Sequence, residues 1–144
     1  MKCGDYMKLN YSCARDILLA LEELLVCEED EDDCLTPASV HFSTVRNHEF
    51  LSEYSKSDIA YCSEKLLEAD YIEADIAESC SGIFDIIYFS ITYDGHKYLD
   101  SVRHPELWND ILQQFKEKPV SMTFDIIQKL ALKRAAKLLE IPEE

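Results

Sequence analysis

The most constraining feature of this sequence is a nearly continuous apolar stretch over residues 83–91. It consists of isoleucine, phenylalanine and tyrosine side chains, interrupted only by Asp85 and Ser90. A short run of β-branched and aromatic residues favours a buried β-strand over a helix. Turn-forming residues 78–82 precede this run, and the segment 71–76 precedes the turn. The two segments are therefore predicted to pair as a hairpin.

Amphipathic helices are predicted on both sides of this hairpin. Residues 12–26 place apolar side chains at three- and four-residue steps, behind a candidate N-cap at Ser12. A second helix is predicted to begin at Ser57. Three further helices are expected to start near residues 94, 105 and 121–123, and the last carries an apolar stripe from Phe124 to Leu138. A chain with three glycines and four prolines has room for such helices.

The order of these elements is typical of one arrangement. A short strand is expected within residues 35–44, because apolar Val40 and Phe42 alternate with polar neighbours. Helix, short strand, helix and a two-stranded wing make up the winged-helix form of the helix-turn-helix. We therefore predict a single α+β domain spanning the chain, with a winged helix-turn-helix core at residues 12–103 and additional C-terminal helices at residues 105–141.

Two blocks of residues also resemble a known family. The first is residues 66–72, Leu-Leu-Glu-Ala-Asp-Tyr-Ile, and the second is residues 91–100, in which Thr92, Gly95 and His96 are most specific. Together with residues 121–127, they resemble the bacterial and phage family known as domain of unknown function 2513, which is related to YjcQ-like proteins. The resemblance covers most of the chain. It implies a winged-helix fold and a frequent phage or prophage origin, and it implies no reaction.

The sequence departs from the family pattern at two positions. Asp70 stands where the family usually has glycine, and Cys62 stands where it often has histidine. The first change bears on the turn after the second helix. The second change removes any role that a family histidine would have there.

The distribution of charge narrows the function classes. The chain has 29 acidic and 14 basic residues, and the whole net charge of −15 falls within residues 1–100. Residues 57–80, where a DNA-reading helix and wing would lie, hold seven acids and one base, Lys65. Nucleic-acid binding needs a basic face that neutralises phosphates, so this segment disfavours it.

We therefore expect a non-enzymatic, phage- or prophage-encoded protein-interaction module whose acidic winged-helix surface engages a basic protein surface. Inhibition of a host nucleic-acid-handling or defence protein is one form of such binding. The six consecutive acids at residues 28–33 are predicted to form a solvated loop that guides the approach. The expected contact residues are Glu64, Glu68, Asp70, Glu73 and Asp75.

Two alternatives stay open. The acids can serve solubility alone. The chain can also be a DNA-binding transcriptional regulator of the winged-helix type, if a basic last helix or a dimer outweighs the acidic segment. That last helix has an apolar stripe suited to a second copy. Its basic residues equally suit a solvated helix end, and they are Lys129, Lys133, Arg134 and Lys137.

No catalytic or cofactor site is expected. His96 lacks an evident nucleophile beside it and is expected to pack or to cap a helix. The aromatic residues Tyr88, Phe89, Tyr93, Tyr98 and Trp108 are expected to fill the core. The series Cys27, Cys34, His41 and His48 has zinc-binding chemistry, but its seven-residue spacing is unlike that of zinc ligand pairs, so reduced and unconnected thiols are favoured.

A cytoplasmic location without membrane contact is expected. No apolar run reaches the ~18 residues that a membrane-spanning helix needs. The first ten residues also lack the apolar core of a signal peptide.

Overall fold

The computed structural model describes residues 8–29, 35–118 and 120–139, and it shows a mixed α+β architecture. This confirms the α+β class predicted from the sequence. The chain divides into two compact units, with the division between Gly95 and His96.

The helices agree with the predicted order, with one addition. They are α1 (Tyr11–Leu24), α2 (Phe42–Arg46), α3 (Lys56–Glu68), α4 (Tyr93–Val102), α5 (Pro105–Glu117) and α6 (Phe124–Leu138). A 3₁₀ turn at Glu49–Leu51 lies between α2 and α3 in sequence. The helix α4 begins in the first unit and continues into the second.

The strands form two antiparallel sheets. They are β1 (Cys27–Glu29), β2 (Leu35–Pro37), β3 (Val40–His41), β4 (Ile72–Ser79) and β5 (Gly82–Ile91). The first two pair with each other, and the other three form a sheet in the order β3-β5-β4. The predicted hairpin is confirmed as β4 and β5, which a two-residue turn, Cys80-Ser81, connects.

Two local predictions between α1 and α3 are confirmed only in part. A short strand, β3, lies within residues 35–44, but it ends at His41 because α2 begins at Phe42. The carboxylate of Asp85 on β5 lies 2.8 Å from Nδ1 of His41, the residue just before that helix. The loop predicted for residues 28–33 is also wrong at its start, since the first two acids lie in β1. Residues 30–33 lie outside the described part of the chain.

The helix starts are set by side-chain caps, two of which differ from the prediction. The Asn10 side chain, rather than Ser12, caps α1 by accepting from the Cys13 N–H at 3.0 Å. Ser55, rather than Ser57, caps α3 by accepting from the Asp58 N–H at 3.1 Å. Thr123 caps α6, as one of the two predicted candidates. A polar residue just before an apolar repeat identifies a helix start only to within a few residues.

The core of the first unit forms where α1 packs against α3. Each buried isoleucine or leucine contributes about 1.5–3 kcal/mol relative to an exposed one. The residues buried here are Ala14, Ile17, Leu18 and Leu21 on α1, and Ile59, Cys62 and Leu66 on α3. The thiol of Cys62 also donates to the Asn10 carbonyl at 3.4 Å. A hydrogen bond with Cys62, together with burial, raises the pKa of the Cys13 thiol, so both residues are packing groups.

A buried hydrogen-bond chain fixes α3 on the sheet. The hydroxyl of Ser63 donates to the Ile59 carbonyl at 2.8 Å, so it accepts from the Tyr88 hydroxyl at 2.7 Å. Burial raises the pKa of Tyr88, which remains a neutral donor. This bond sets the rotation of α3, and hence which residues of that helix face solvent.

In the second unit, α5 and α6 contact each other. Trp108 and Ile111 on α5 are buried, as are Ile127 and Ala131 on α6. The rings of Tyr98 and Phe124 pack in a T-shaped arrangement with a centroid distance of 5.0 Å. The apolar stripe predicted for α6 is buried at Ile127 and Ala131 and exposed at its end, where Leu138 is 80% exposed. Association of two copies through this helix stays a prediction.

None of the helices in the described ranges is both long enough and apolar enough to cross a bilayer.

Candidate protein-interaction surface

The outward face of α3 is acidic toward its C-terminal end. Because Ile59, Ser63 and Leu66 are buried, the opposite side of the helix presents Glu64 and Glu68 to solvent. Their side chains are 35% and 58% exposed, respectively. Helical geometry thus places two carboxylates on one accessible face.

A single lysine lies between these carboxylates. The ammonium of Lys65 lies 2.6 Å from the Glu68 carboxylate, 3.9 Å from that of Glu64, and 5.1 Å from the Tyr61 ring centroid. The hydrogen bond to Glu68 raises the pKa of Lys65, which stays charged. One cation shared by two carboxylates leaves this face with a net negative charge.

The chain leaves α3 through a left-handed turn at Asp70. This residue has φ of 62°, and its N–H donates to the Leu67 carbonyl at 3.0 Å. The next N–H, of Tyr71, donates to the Leu66 carbonyl at 2.9 Å, which completes a Schellman cap. The turn for which the family usually uses glycine is therefore retained with aspartate, one of the few other residues that tolerate this conformation.

Residues 91–95 hold this turn in place. The hydroxyl of Thr92 donates to the Asp70 carbonyl at 2.5 Å and accepts from the Gly95 N–H at 3.0 Å. The backbone N–H of Thr92 donates to the Tyr71 carbonyl at 3.0 Å. A Cβ atom on Gly95 would lie 2.0 Å from that same carbonyl oxygen, so only glycine fits.

The two family-like blocks therefore meet in space and serve a structural purpose. The turn at Asp70 comes from the first block, and Thr92 and Gly95 come from the second. Their contacts fix the direction in which β4 leaves α3. His96 of the same block is exposed, so the expected packing role is wrong.

The strand β4 continues the acidic face beyond the turn. Glu73 and Asp75 are exposed, whereas Ile72 between the turn and Glu73 is buried, as the two-residue period of a strand requires. All five predicted contact residues therefore lie on one continuous segment and are exposed or half-buried. Together these five residues form the acidic surface, which consists of Glu64, Glu68, Asp70, Glu73 and Asp75.

An exposed aromatic residue accompanies the acidic surface. Glu73 lies opposite Ser90 and Ala74 lies opposite Tyr88, so Phe89 is an extra residue in a β-bulge. Its side chain is 40% exposed, and that of Tyr93 is 77% exposed. The expectation that both fill the core is wrong, whereas Tyr88, Tyr98 and Trp108 are buried as predicted. A bulge shifts the alternation of buried and exposed side chains along the strand by one residue. No local sequence pattern indicates that a bulge is present.

The two histidines of the series Cys27, Cys34, His41 and His48 contact different carboxylates. His41 Nδ1 lies 2.8 Å from the Asp85 carboxylate, whereas His48 Nε2 lies 2.8 Å from that of Glu23. Nδ1 of His48 also accepts from the Phe50 N–H at 3.1 Å. Across residues 8–29, 35–118 and 120–139, no cluster of three or more histidine, cysteine or acidic side chains could hold a metal ion. Cys34 lies outside those residues.

The first unit also contains a basic cavity, which the net charge of the sequence does not reveal. An open cavity of about 400 Å³ is lined by basic and polar side chains from α2, the start of α3 and the sheet. These residues are far apart in sequence, so no spacing pattern indicates them. The lining residues are His41, Phe42, Ser43, Arg46, Lys56 and Asp85.

Comparison with known proteins agrees with the resemblance seen in residues 66–72 and 91–100. The chain is 26% identical over 125 residues to an uncharacterized protein of Haemophilus influenzae (strain ATCC 51907 / DSM 11121 / KW20 / Rd), covering 87% of this chain and 92% of that protein. No solved structure matches this chain. The model of the family described as "Hypothetical protein (DUF2513)" matches residues 8–121, which is most of the sequence, and the chain therefore belongs to the DUF2513 family.

Proposed function

We propose that this protein is a non-enzymatic protein-interaction module that binds a basic surface of another protein through its acidic surface. The observation that carries this proposal is the set of five solvent-facing carboxylates within residues 64–75, which only Lys65 offsets. Such a surface attracts positively charged patches of a partner protein and orients the two proteins as they approach each other.

The carboxylates of the strand and turn are available to a partner. Within the described part of the chain, the side chains of Asp70, Glu73 and Asp75 form no ion pair and accept no hydrogen bond. A basic partner therefore does not have to break existing contacts in order to engage them. The exposed ring of Phe89 adds apolar area beside these charges, which is the mixture found at protein interfaces.

The architecture supports a winged-helix core. In chain order, α1, β3, α2, α3 and the hairpin of β4 and β5 give helix, strand, two helices and a two-stranded wing. In a DNA-binding winged helix, the position of α3 is that of the helix that enters the major groove. Glu64 and Glu68 would meet phosphates there and repel them. The same surface fits a protein whose natural ligand is nucleic acid.

The partner class follows from this charge pattern. Proteins that handle nucleic acids have basic patches that an acidic wing and helix can occupy in place of DNA. We place the protein in the cytoplasm, with a phage or prophage origin, as an inhibitor of such a host enzyme or defence protein. These assignments extend the proposal and depend on the same acidic surface.

An affinity capture experiment tests the proposal. The tagged protein is incubated with host lysate at about 50 mM and about 500 mM salt, because added salt screens surface charges. The test variant combines Glu64→Gln, Glu68→Gln, Asp70→Asn and Glu73→Gln. The control has the same change in net charge at exposed acids outside the acidic surface, through Glu22→Gln, Glu53→Gln, Glu106→Gln and Glu117→Gln.

The expected result is that wild type and control recover the same basic proteins at low salt, while the test variant loses them. Recovery of the same partners by the test variant, with unchanged salt dependence, would show that the acidic surface is not the binding surface.

A second candidate function is DNA binding by a transcriptional regulator, and one observation favours it. The side chains of Lys129, Lys133 and Lys137 are all exposed on α6. Fluorescence polarisation at low salt, with random and self-promoter duplexes, tests this. Sub-micromolar binding that weakens with salt and is lost on substitution of these lysines by glutamine would replace the protein-binding proposal.

A further inference from the structure

Cations are scarce in the first unit, and two of them meet at one cavity. Between residues 8 and 95, the basic residues are Lys8, Arg15, Arg46, Lys56 and Lys65. Arg15 lies 3.3 Å from the Asp16 carboxylate, and Lys65 is held by Glu68. Arg46 and Lys56 both line the open cavity of about 400 Å³. Neither forms an ion pair with any residue that the structure describes. The first unit is strongly acidic. Two cations that lie at the same cavity and have no carboxylate partner therefore indicate a binding site.

The carboxylate in the cavity is already engaged. Asp85 accepts from the backbone N–H of Ile86 at 2.9 Å, and it lies 2.8 Å from Nδ1 of His41. The hydrogen bond with His41 is the main reason that the pKa of Asp85 is lowered. The negative charge of Asp85 is therefore stabilised by these neighbouring hydrogen-bond donors. The bond also fixes the His41 ring and leaves Nε2 as the nitrogen that can meet a ligand.

We propose that this cavity binds a phosphomonoester group of a small ligand of nucleotide size. A phosphomonoester dianion matches the two charges of Arg46 and Lys56. The guanidinium offers paired donors, and the ammonium adds a point charge. The hydroxyl of Ser43 supplies a further donor. The cavity volume of about 400 Å³ lies in the range of small-molecule sites, which leaves room for an organic portion beside the phosphate.

The surroundings favour a small ligand over a duplex. His41 lies opposite Ile87 in the sheet, and Ile87 lies opposite Asp75, so the three share one face. Two strand spacings place Asp75 about 10 Å from His41 between backbones. A polyanion passing over the cavity would bring further phosphates to Asp75 and to the rest of the acidic surface. A single phosphomonoester avoids them. This inference is independent of the proposed protein partner, because it uses none of the acidic surface.

The test is an NMR titration at low ionic strength in buffer without phosphate. The probes are adenosine 5′-monophosphate, inorganic phosphate and adenosine. We expect the monophosphate to shift the amide signals of residues 41–46 and 56, and inorganic phosphate to shift the same signals more weakly. Arg46→Gln with Lys56→Gln should weaken monophosphate binding at least about tenfold. Lys129→Gln with Lys133→Gln changes net charge equally and should leave the affinity unchanged.

Three results would overturn the inference. One is the absence of shifts at residues 41–46 and 56 with either phosphate probe at about 10 mM, well above the range of useful small-ligand affinities. Another is adenosine binding as well as its monophosphate, since the phosphate would then be irrelevant. The third comes from a duplex oligonucleotide added as a separate arm. If the duplex binds through Arg46 and Lys56 and the monophosphate does not, the cations belong to a nucleic-acid site.

Discussion

The helices α3 and α6 place their charges in opposite ways relative to the helix dipole. The last helix has Asp125 in its first turn and Lys137 in its last, which is the favourable arrangement. By contrast, α3 begins with Lys56 and ends with Glu68, and only Asp58 and Lys65 compensate within its end turns. Interaction with the helix dipole therefore explains where the charges of α6 lie. It does not explain where the charges of α3 lie. Residues that oppose local stability are where function is to be sought.

The two helices also end differently, and this difference gives the largest expected effect. The turn after α3 depends on the close approach of Gly95 to the Tyr71 carbonyl, whereas the C-cap residue of α6, Leu139, has φ of −90°. We expect Gly95→Ala to destabilise the protein by about 3 kcal/mol, since the backbone on both sides must move. Urea unfolding followed by circular dichroism measures this change.

His96→Ala is the matched control for that substitution, because it changes the neighbouring exposed residue of the same helix. It should alter stability by less than about 0.5 kcal/mol. Equal stability of Gly95→Ala and wild type would mean that the turn after α3 is not held by this contact.

The turn residue itself gives a smaller effect of opposite sign. Asp70→Gly relieves a left-handed conformation that costs a side-chain-bearing residue about 1 kcal/mol, so we expect stabilisation of about that size. Thermal unfolding at two salt concentrations separates this backbone effect from the loss of a charge, because only the charge effect is screened. Asp70→Asn removes the charge and keeps the strained backbone, and it should recover none of the salt-independent gain.

The smallest effect tests the charges themselves. Neutralising Lys129, Lys133 and Lys137 with glutamine should destabilise the protein by about 0.5 kcal/mol at low salt, because Lys137 in the last turn of α6 interacts favourably with the helix dipole. Replacing Glu64, Glu68 and Glu73 with glutamine should leave stability unchanged or raise it by a few tenths of a kcal/mol. Urea midpoints at low salt and at about 1 M salt measure both. If both sets destabilise equally, the contrast between the helices has no energetic basis.

Much of the architecture could be predicted because the decisive signals are local. The apolar run at residues 83–91 identifies a strand wherever it occurs, and the apolar spacing of residues 12–26 identifies a helix. The acidic surface was also predictable, because its residues lie on one continuous segment. Exposure along a helix and a strand follows from period alone.

What the sequence could not reveal depends on contacts between distant residues. His41, just before α2, contacts Asp85, 44 positions later, and the alternating pattern in this region does not indicate this contact. The exposure of Phe89 depends on a bulge against β4. The basic cavity draws on residues from three segments that hold few charges each, so neither composition nor spacing signals it.

The placement of the thiols has a practical consequence for studies in solution. Cys13 and Cys62 are sealed in the core, whereas Cys27 and Cys80 are exposed, and Cys80 occupies the turn at the tip of the hairpin. Accessible thiols oxidise first, so storage in air will join molecules through Cys27 or Cys80 without any native interface. A covalent pair that vanishes with reductant must therefore be excluded before a mass measurement is taken as self-association. Cys80 lets a maleimide dye be attached at the tip of the hairpin while the buried thiols of Cys13 and Cys62 stay unmodified.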